Sequence, residues 1–221
     1  MGTLYLVRHG QASFGAADYD QLSPLGHLQS QRLGAWWRER GVHFDAVLIG
    51  TLRRHAQTLA GIEQGLRAQR EALVLPGLDE YDSQALVRAI HPAPLAAADT
   101  PERARQHFRL LRQGLQQWMA GATPTDGLPA HRDFVAGVVQ ALDLVRREHA
   151  DGNVLMVTSG GPIATAIGQV LGLGAEATID INLHIRNSAV SELKVSPRRH
   201  TLITFNTLPH LDGDAASVSY A

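Results

Sequence analysis

The sequence predicts an α/β fold, a three-layer α/β/α sandwich with a mostly parallel central sheet. Short apolar runs of strand length alternate with longer segments whose apolar residues recur every three or four positions, the pattern of strands joined by crossover helices. The 221 residues suit one large domain, 1–221. Residues 81–151 are predicted to be a helical insertion or partial lid between the third and fourth strands.

The first half of the chain is predicted to hold three strands and two helices. Ser23 and Pro24 suit the cap and first residue of a helix that stops near Gly41. Thr51 is placed to cap the next helix. The predicted strands are Leu4–Val7, Phe44–Gly50 and Leu73–Pro76.

The second half begins with two amphipathic helices, one opening at Thr100 and one carrying Phe134 to Val145 on its apolar face. Between them, Gly121–Pro129 is a break rich in glycine and proline. A helix Ile163–Leu171 follows the fourth strand, and the chain after Leu211 is expected to be a loose tail. The predicted strands of this half are Val154–Val157, Leu183–Leu193 and Leu202–Asn206.

Composition narrows the classes of partner and location. The formal net charge of −1 gives no general attraction to nucleic acid or to an anionic membrane. The absence of cysteine excludes disulfides and thiolate metal sites. We see no signal peptide and no apolar run near the roughly 20 residues of a membrane span. We therefore expect a cytoplasmic protein with neither a nucleic-acid nor a membrane partner.

Chemistry-bearing residues follow three of the predicted strands. Arg8, His9 and Gly10 end the first strand, Gly50 ends the second, and Thr158–Ser159 ends the fourth. In a parallel sheet these ends meet at one edge, where open α/β sheets build their sites. An Arg-His pair after a strand is commonly structural, so the prediction depends on other residues reaching it.

Those residues suggest phosphoryl transfer. Arginine binds phosphate oxygens through paired, charge-assisted hydrogen bonds, which fits Arg8 and Arg54, and Arg54 lies at a helix start that also favours anions. A neutral His9 between them could attack phosphorus. Glu80 is a candidate proton donor and base, although the neighbouring Asp79 and Asp82 remain alternatives.

Four segments in order resemble the histidine phosphatase superfamily, which includes the cofactor-dependent phosphoglycerate mutases. They are Leu6–Gln11, Leu52–Thr58, Leu78–Glu80 and Asn187–Ser191. The resemblance runs over nearly the whole chain and points to a bacterial phosphatase-like branch. It implies that His9 is the phosphorylated nucleophile, that Arg8 and Arg54 bind phosphate, and that Glu80 donates the proton. It implies no cofactor and no metal.

The sequence departs from the family where its fourth strand usually ends in a second His-Gly. Here Ser159 stands in place of that histidine, and a neutral serine donor is weaker than a charged imidazole by on the order of 1 kcal/mol or more. The N–H groups of Gly160 and Gly161 could compensate in part. Ser159 and Gly160 are therefore either phosphate ligands or turn residues, and activity is expected to be reduced rather than lost.

Two further departures concern the substrate. Gly15 stands where the mutases have asparagine, and Tyr81–Gln84 replaces their basic residues. These departures favour a phosphatase over a mutase, acting on a phosphorylated small molecule or a phosphopeptide. The oligomeric state stays open.

The remaining candidates are weaker. Gln11 is included as a phosphate ligand, although it and Ser13 follow a strand where polar residues are often only exposed. Arg53 is expected to point to solvent. The other ten histidines are expected to lie mostly at the surface, because they show no metal-ligand spacing. The competing hypothesis of a different class is a phosphate-binding protein that has lost turnover.

Overall fold

A computed structural model gives the fold, and it describes residues 1–13, 20–95, 100–122 and 128–220. Gly15 lies outside the described residues, as do residues 123–127 of the predicted break Gly121–Pro129. Within the described ranges, no helix is both long enough and apolar enough to cross a bilayer.

The described strands form one six-stranded sheet in the order β3-β2-β4-β1-β5-β6. Neighbouring strands pair in parallel from β3 to β1, and only β5 runs against the others. The predicted mostly parallel sheet is therefore confirmed. The strands are Gly2–Arg8 (β1), Ala46–Ile49 (β2), Ala72–Val74 (β3), Asn153–Thr158 (β4), Val190–Val195 (β5) and His200–Thr207 (β6).

Helices cover both faces of the sheet, as the three-layer prediction requires. Side chains alternate between the two faces along each strand. Thus Leu4 and Leu6 of β1 join the core beneath α5 and α6, while Val7 joins the core beneath α1 and α2. The helices are Pro24–Glu39 (α1), Arg53–Leu66 (α2), Ser83–Ile90 (α3), Pro101–Met119 (α4), His131–Glu148 (α5), Gly160–Leu171 (α6) and Ala175–His184 (α7).

In its described residues, the segment between β3 and β4 contains three α-helices, α3 to α5, of which α3 was not expected from the sequence. Asp82 caps α3 by accepting a hydrogen bond from Ala85 N, at 2.8 Å. Leu86, Leu115 and Trp118 form a separate apolar cluster with Ile179 of α7. This cluster places α3 and α4 beside the carboxyl end of the sheet through their contact with α7.

The predicted strand Leu183–Leu193 is wrong in its first half. The segment Ile179–Ile185 alternates apolar and polar residues as a strand does, yet α7 extends to His184. Burial of Thr178 and Ile179 stabilises the helix against its neighbours. The strand begins only at Val190, after Ser188 turns the chain with a φ of 57°.

Two smaller expectations are also wrong. The side chain of Thr51 does not cap α2, since the residue at the cap is Leu52 and it makes no side-chain cap bond. The segment after Leu211 packs against α1 as far as it is described. There Gln29 Nε2 donates to Ser217 O at 2.8 Å and to Ser219 Oγ at 3.0 Å. These buried polar contacts hold the segment in place.

Candidate active site

The predicted strand ends meet at one edge of the sheet. His9 N donates to Thr158 O at 2.8 Å, and Gly50 N donates to Val157 O at 3.4 Å. Because β4 lies between β2 and β1, Ser159 lies between the strand ends that carry Gly50 and His9. The sheet therefore brings these residues together as the sequence predicted.

The imidazole of His9 is held in one tautomer. Its Nδ1 lies 2.8 Å from the carbonyl oxygen of Gly10, which can only accept a hydrogen bond. Nδ1 must then carry the hydrogen, and Nε2 keeps its lone pair. Gly10 itself is anchored because its N–H donates to Thr58 Oγ1 of α2, at 3.1 Å. The nitrogen with the lone pair is the one that can act as a nucleophile.

His9 is also kept neutral. Its side chain is buried, with 2% of the residue exposed. Burial first, and then the positive charges of Arg8 and Arg54, hold the pKa of His9 well below its usual value. A neutral imidazole at physiological pH is the form that nucleophilic attack requires.

Both predicted arginines are buried at this edge. Arg8 donates from its guanidinium to the carbonyl oxygen of Ile185, where α7 ends. Arg54, in the first turn of α2, donates from Nη1 to Asp20 Oδ1 at 2.9 Å. Asp20 also accepts from the backbone N–H of Arg53 at 2.9 Å. Asp20 thereby supplies the cap that Leu52 does not provide, and it orients Arg54.

Glu80 faces the start of α6. Its carboxylate oxygens accept from the backbone N–H of Gly161, at 3.1 and 3.3 Å. Burial raises the pKa of Glu80, and the Gly161 bond and the charges of Arg8 and Arg54 oppose that rise. A Cβ at position 161 would overlap both Glu80 Oε1 and the ring of Tyr81. The glycine therefore allows the acid to lie where it does.

The two alternative acids have other contacts. Asp79 accepts from the backbone N–H of Thr51 at 2.5 Å and also from its hydroxyl. Asp82 is exposed and caps α3. Burial raises the pKa of Glu80, and the charges of Arg8 and Arg54 act on it. Because Asp79 and Asp82 are engaged by Thr51 and by the start of α3, Glu80 is the better candidate for the proton donor.

Of the remaining predicted residues, Gly160 lies beside Glu80, whereas Gln11 and Arg53 do not. Gly160 starts α6 beside Glu80 and is buried. Gln11 is instead tied to the start of α1, because its Oε1 accepts from Ser23 Oγ at 2.8 Å. Arg53 is exposed, as expected. Among the described residues, no three metal-ligating side chains cluster closely enough to hold a metal ion.

One residue of the site was not predicted. His55, next to Arg54 on α2, is fully buried, and its Nε2 lies 2.8 Å from Ser159 Oγ. Its ring centroid is 5.9 Å from that of His9. The available signal was a histidine inside the arginine motif of a sequence whose usual second histidine is replaced by Ser159. The expectation of surface histidines does not hold for His55.

A family model matches most of the chain. The model of the histidine phosphatase superfamily (branch 1) matches residues 4–208. The chain belongs to the histidine phosphatase superfamily. Membership of this superfamily, which the four ordered motifs predicted, is thus confirmed.

Several solved structures share the fold. YhfR of Bacillus stearothermophilus is 18% identical with a TM-score of 0.69, covering 96% of this chain and 100% of its own. A putative α-ribazole-5′-P phosphatase of Escherichia coli K-12 is 21% identical with a TM-score of 0.65, over 93% of this chain and 96% of its own. At these identities the likeness concerns the fold.

A curated relative matches more locally. A broad-specificity phosphatase of Saccharomyces cerevisiae is 36% identical over 63 residues, which are 26% of this chain and 27% of the yeast protein. The chain therefore aligns with about a quarter of that relative's length.

Proposed function

We propose that the protein is a phosphomonoester hydrolase that acts through a phosphohistidine at His9. The observation that carries this proposal is the state of His9, a neutral imidazole whose Nδ1 is bound to Gly10 O. The lone pair of Nε2 is thereby left for phosphorus. Arg8 and Arg54 supply positive charge beside it, and Glu80 is held nearby as an acid.

The first step forms a phosphohistidine and releases an alcohol. The Nε2 lone pair of His9 attacks phosphorus, and the bond from phosphorus to the ester oxygen breaks. Glu80, whose pKa is raised by burial, gives its proton to the departing oxygen. Arg8 and Arg54 offset the negative charge of the equatorial phosphoryl oxygens.

The second step regenerates the enzyme. Glu80, now a carboxylate, takes a proton from a water molecule as that water attacks phosphorus. The bond from phosphorus to Nε2 breaks, inorganic phosphate leaves, and His9 returns to its neutral state. Each proton that Glu80 gives in the first step is recovered in the second. The scheme draws its positive charge from arginines, so we propose that it is metal-independent.

The substrate class follows from the surroundings of Glu80. Tyr81, Asp82, Ser83 and Gln84 follow the acid without a basic residue, which favours hydrolysis over the capture of a second acidic substrate by a mutase. The relatives named as phosphatases, one of them of broad specificity, support a phosphorylated small molecule, with a phosphopeptide as the alternative.

The test compares wild-type protein with the variant His9→Ala on p-nitrophenyl phosphate and a panel of alkyl phosphates. We expect His9→Ala to abolish hydrolysis and wild-type turnover to persist in EDTA. His43→Ala is the matched control, since His43 is exposed just before β2 and remote from the carboxyl ends of the strands. Turnover by His9→Ala equal to wild type would remove the mechanism.

A second candidate is a phosphate-binding protein without turnover, which the replacement of the usual histidine by Ser159 favours. It predicts that wild-type protein binds vanadate or phosphate yet hydrolyses no member of the panel. Reduced but measurable hydrolysis supports the enzyme.

A further inference from the structure

A buried serine–histidine pair lies close to His9, since the rings of His9 and His55 have centroids 5.9 Å apart. The Nε2 of His55 and the Oγ of Ser159 are 2.8 Å apart, and both residues are fully buried. They come from different elements, His55 from the first turn of α2 and Ser159 from the end of β4. Burying two polar side chains at this edge has a cost that their mutual hydrogen bond offsets.

The space around the imidazole is fitted to it. A Cβ on Gly50 would overlap both His55 Nδ1 and Asp79 Oδ1, so only glycine lets the ring and the carboxylate occupy this corner. His55 Nδ1 lies 3.8 Å from Asp79 Oδ1, too far for a hydrogen bond. Burial lowers the pKa of His55 to about 3, so the ring is neutral.

The arrangement does not activate Ser159 as a nucleophile. That role needs a carboxylate hydrogen-bonded to the Nδ1 hydrogen of the histidine, as in serine hydrolases. Here the nearer oxygen of Asp79, Oδ1, lies 3.8 Å from His55 Nδ1 and makes no such hydrogen bond. The pair instead orients the hydroxyl of Ser159 as a hydrogen-bond donor.

We propose that His55 is a positioning residue for phosphoryl binding, acting through Ser159. Its Nε2–H donates to Ser159 Oγ, which turns the serine hydrogen toward a phosphoryl oxygen held beside His9. The imidazole on α2 thus acts on the phosphoryl group through Ser159. The histidine that usually follows the fourth strand in the family would contact that group directly. The expected effect of this pair on catalysis rests on the proposed function. Its expected effect on phosphate binding can be tested separately, by the affinity of the protein for phosphate analogues.

The experiment measures kcat/KM on an aryl phosphate and the Kd for vanadate by calorimetry, in wild type, His55→Ala, Ser159→Ala and the double variant. Each single variant should lose about 10- to 100-fold in kcat/KM, mainly in kcat, and in vanadate affinity. The double variant should lose no more than either single, because the two residues act as one unit. Losses that multiply would overturn the proposal.

Two rescue variants separate positioning from simple filling of space. His55→Gln keeps an amide donor near Ser159 and should retain more activity than His55→Ala. The combination His55→Ala with Ser159→His moves the imidazole to the strand end and should exceed His55→Ala by at least tenfold. Ser159→His alone should be impaired, since His55 leaves no room for a second ring. Activity of the combined variant at or below His55→Ala would contradict the proposal.

His210 offers a control of matched chemistry. Its Nε2 lies 2.9 Å from Ser188 Oγ, and burial lowers its pKa to about 3 as well. His210→Phe should lower the unfolding temperature and leave vanadate affinity at the wild-type value. If wild-type protein proves inactive on every substrate, the proposed hydrolysis fails, while the vanadate affinities still test His55. Unchanged vanadate affinity in folded His55→Ala would refute the positioning role.

Discussion

The carboxylate of Glu80 lies against the backbone N–H of Gly161, with Oε1 at 3.1 Å. The acid therefore depends on the first turn of α6 for its position, although it follows a different strand. This bond stabilises the carboxylate form, while burial favours the protonated form. The balance of the two suits a group that must give and retake a proton.

Gly161→Ala should displace Glu80. The added methyl would overlap Glu80 Oε1 and the ring of Tyr81, so we expect at least about a tenfold loss of kcat with little change in vanadate affinity. Gly174→Ala is the control, because a Cβ at that position meets open space. Steady-state kinetics and calorimetry check this, and full activity of Gly161→Ala would show that Glu80 need not lie here.

Glu80→Gln should affect substrates according to their leaving groups. Losing a general acid costs on the order of 10²- to 10⁴-fold when the departing alcohol needs a proton. Alkyl phosphates should therefore suffer far more than p-nitrophenyl phosphate. Asp82→Asn, at the exposed cap of α3, should leave the ratio between the two substrates unchanged. An equal loss on both substrates would argue against Glu80 as the proton donor.

The pH dependence of kcat/KM should have limbs set by His9 and Glu80. His9 reacts when neutral, and its pKa is held well below the usual value, so the enzyme stays active below the usual histidine pKa of about 6.5. Glu80 must begin protonated, so activity falls as pH rises through its raised pKa. On alkyl phosphates, a rate that keeps climbing as pH rises would contradict this assignment. Glu80→Gln should remove this fall in activity with rising pH.

Stability should also depend on pH through His55. The unfolded chain takes up a proton near pH 6.5, whereas the folded chain resists until its pKa of about 3. Between these values the unfolded state binds more protons, so stability falls as pH falls, by at most about 1.4 kcal/mol per pH unit. In urea unfolding experiments from pH 7 to 5, the free energy of unfolding of His55→Phe should fall less steeply with falling pH than that of wild type. His43→Ala, at an exposed histidine, is the control.

A His55→Phe slope equal to that of wild type would mean that His55 is not buried in its neutral form. The control matters because His43 is an exposed histidine just before β2, away from the buried pair of His55 and Ser159.

The main features of the fold could be predicted because they depend on local patterns. Buried strands and amphipathic helices leave apolar periodicities that the sequence displays, and the carboxyl ends of parallel strands share one edge. The start of α1 was predictable because Ser23 does accept a hydrogen bond from Gly26 N, at 3.1 Å. The strand ends and the chemistry of phosphate binding gave His9, Arg8, Arg54 and Glu80 as candidates, and the resemblance to the family gave each its role.

The errors concern contacts between distant segments. Thr51 has the right type and position for a cap, yet Asp20 provides that cap from 33 residues away. The sequence of α7 alternates apolar and polar residues as a strand does. The segment is nevertheless a helix, because it packs on α4 and α6, which lie far from it in the sequence or are reached only in the fold. The pairing of His55 with Ser159 spans 104 residues, so no local pattern contains it.

The proposed mechanism depends on a covalent phosphohistidine at His9. The direct measurement mixes wild-type protein with a ³²P-labelled aryl phosphate, quenches in alkali within one turnover, and maps the labelled peptide by mass spectrometry. We expect the label on Nε2 of His9, lost on acid treatment and absent from His9→Ala. Label on Ser159, or hydrolysis by His9→Ala at the wild-type rate, would contradict it.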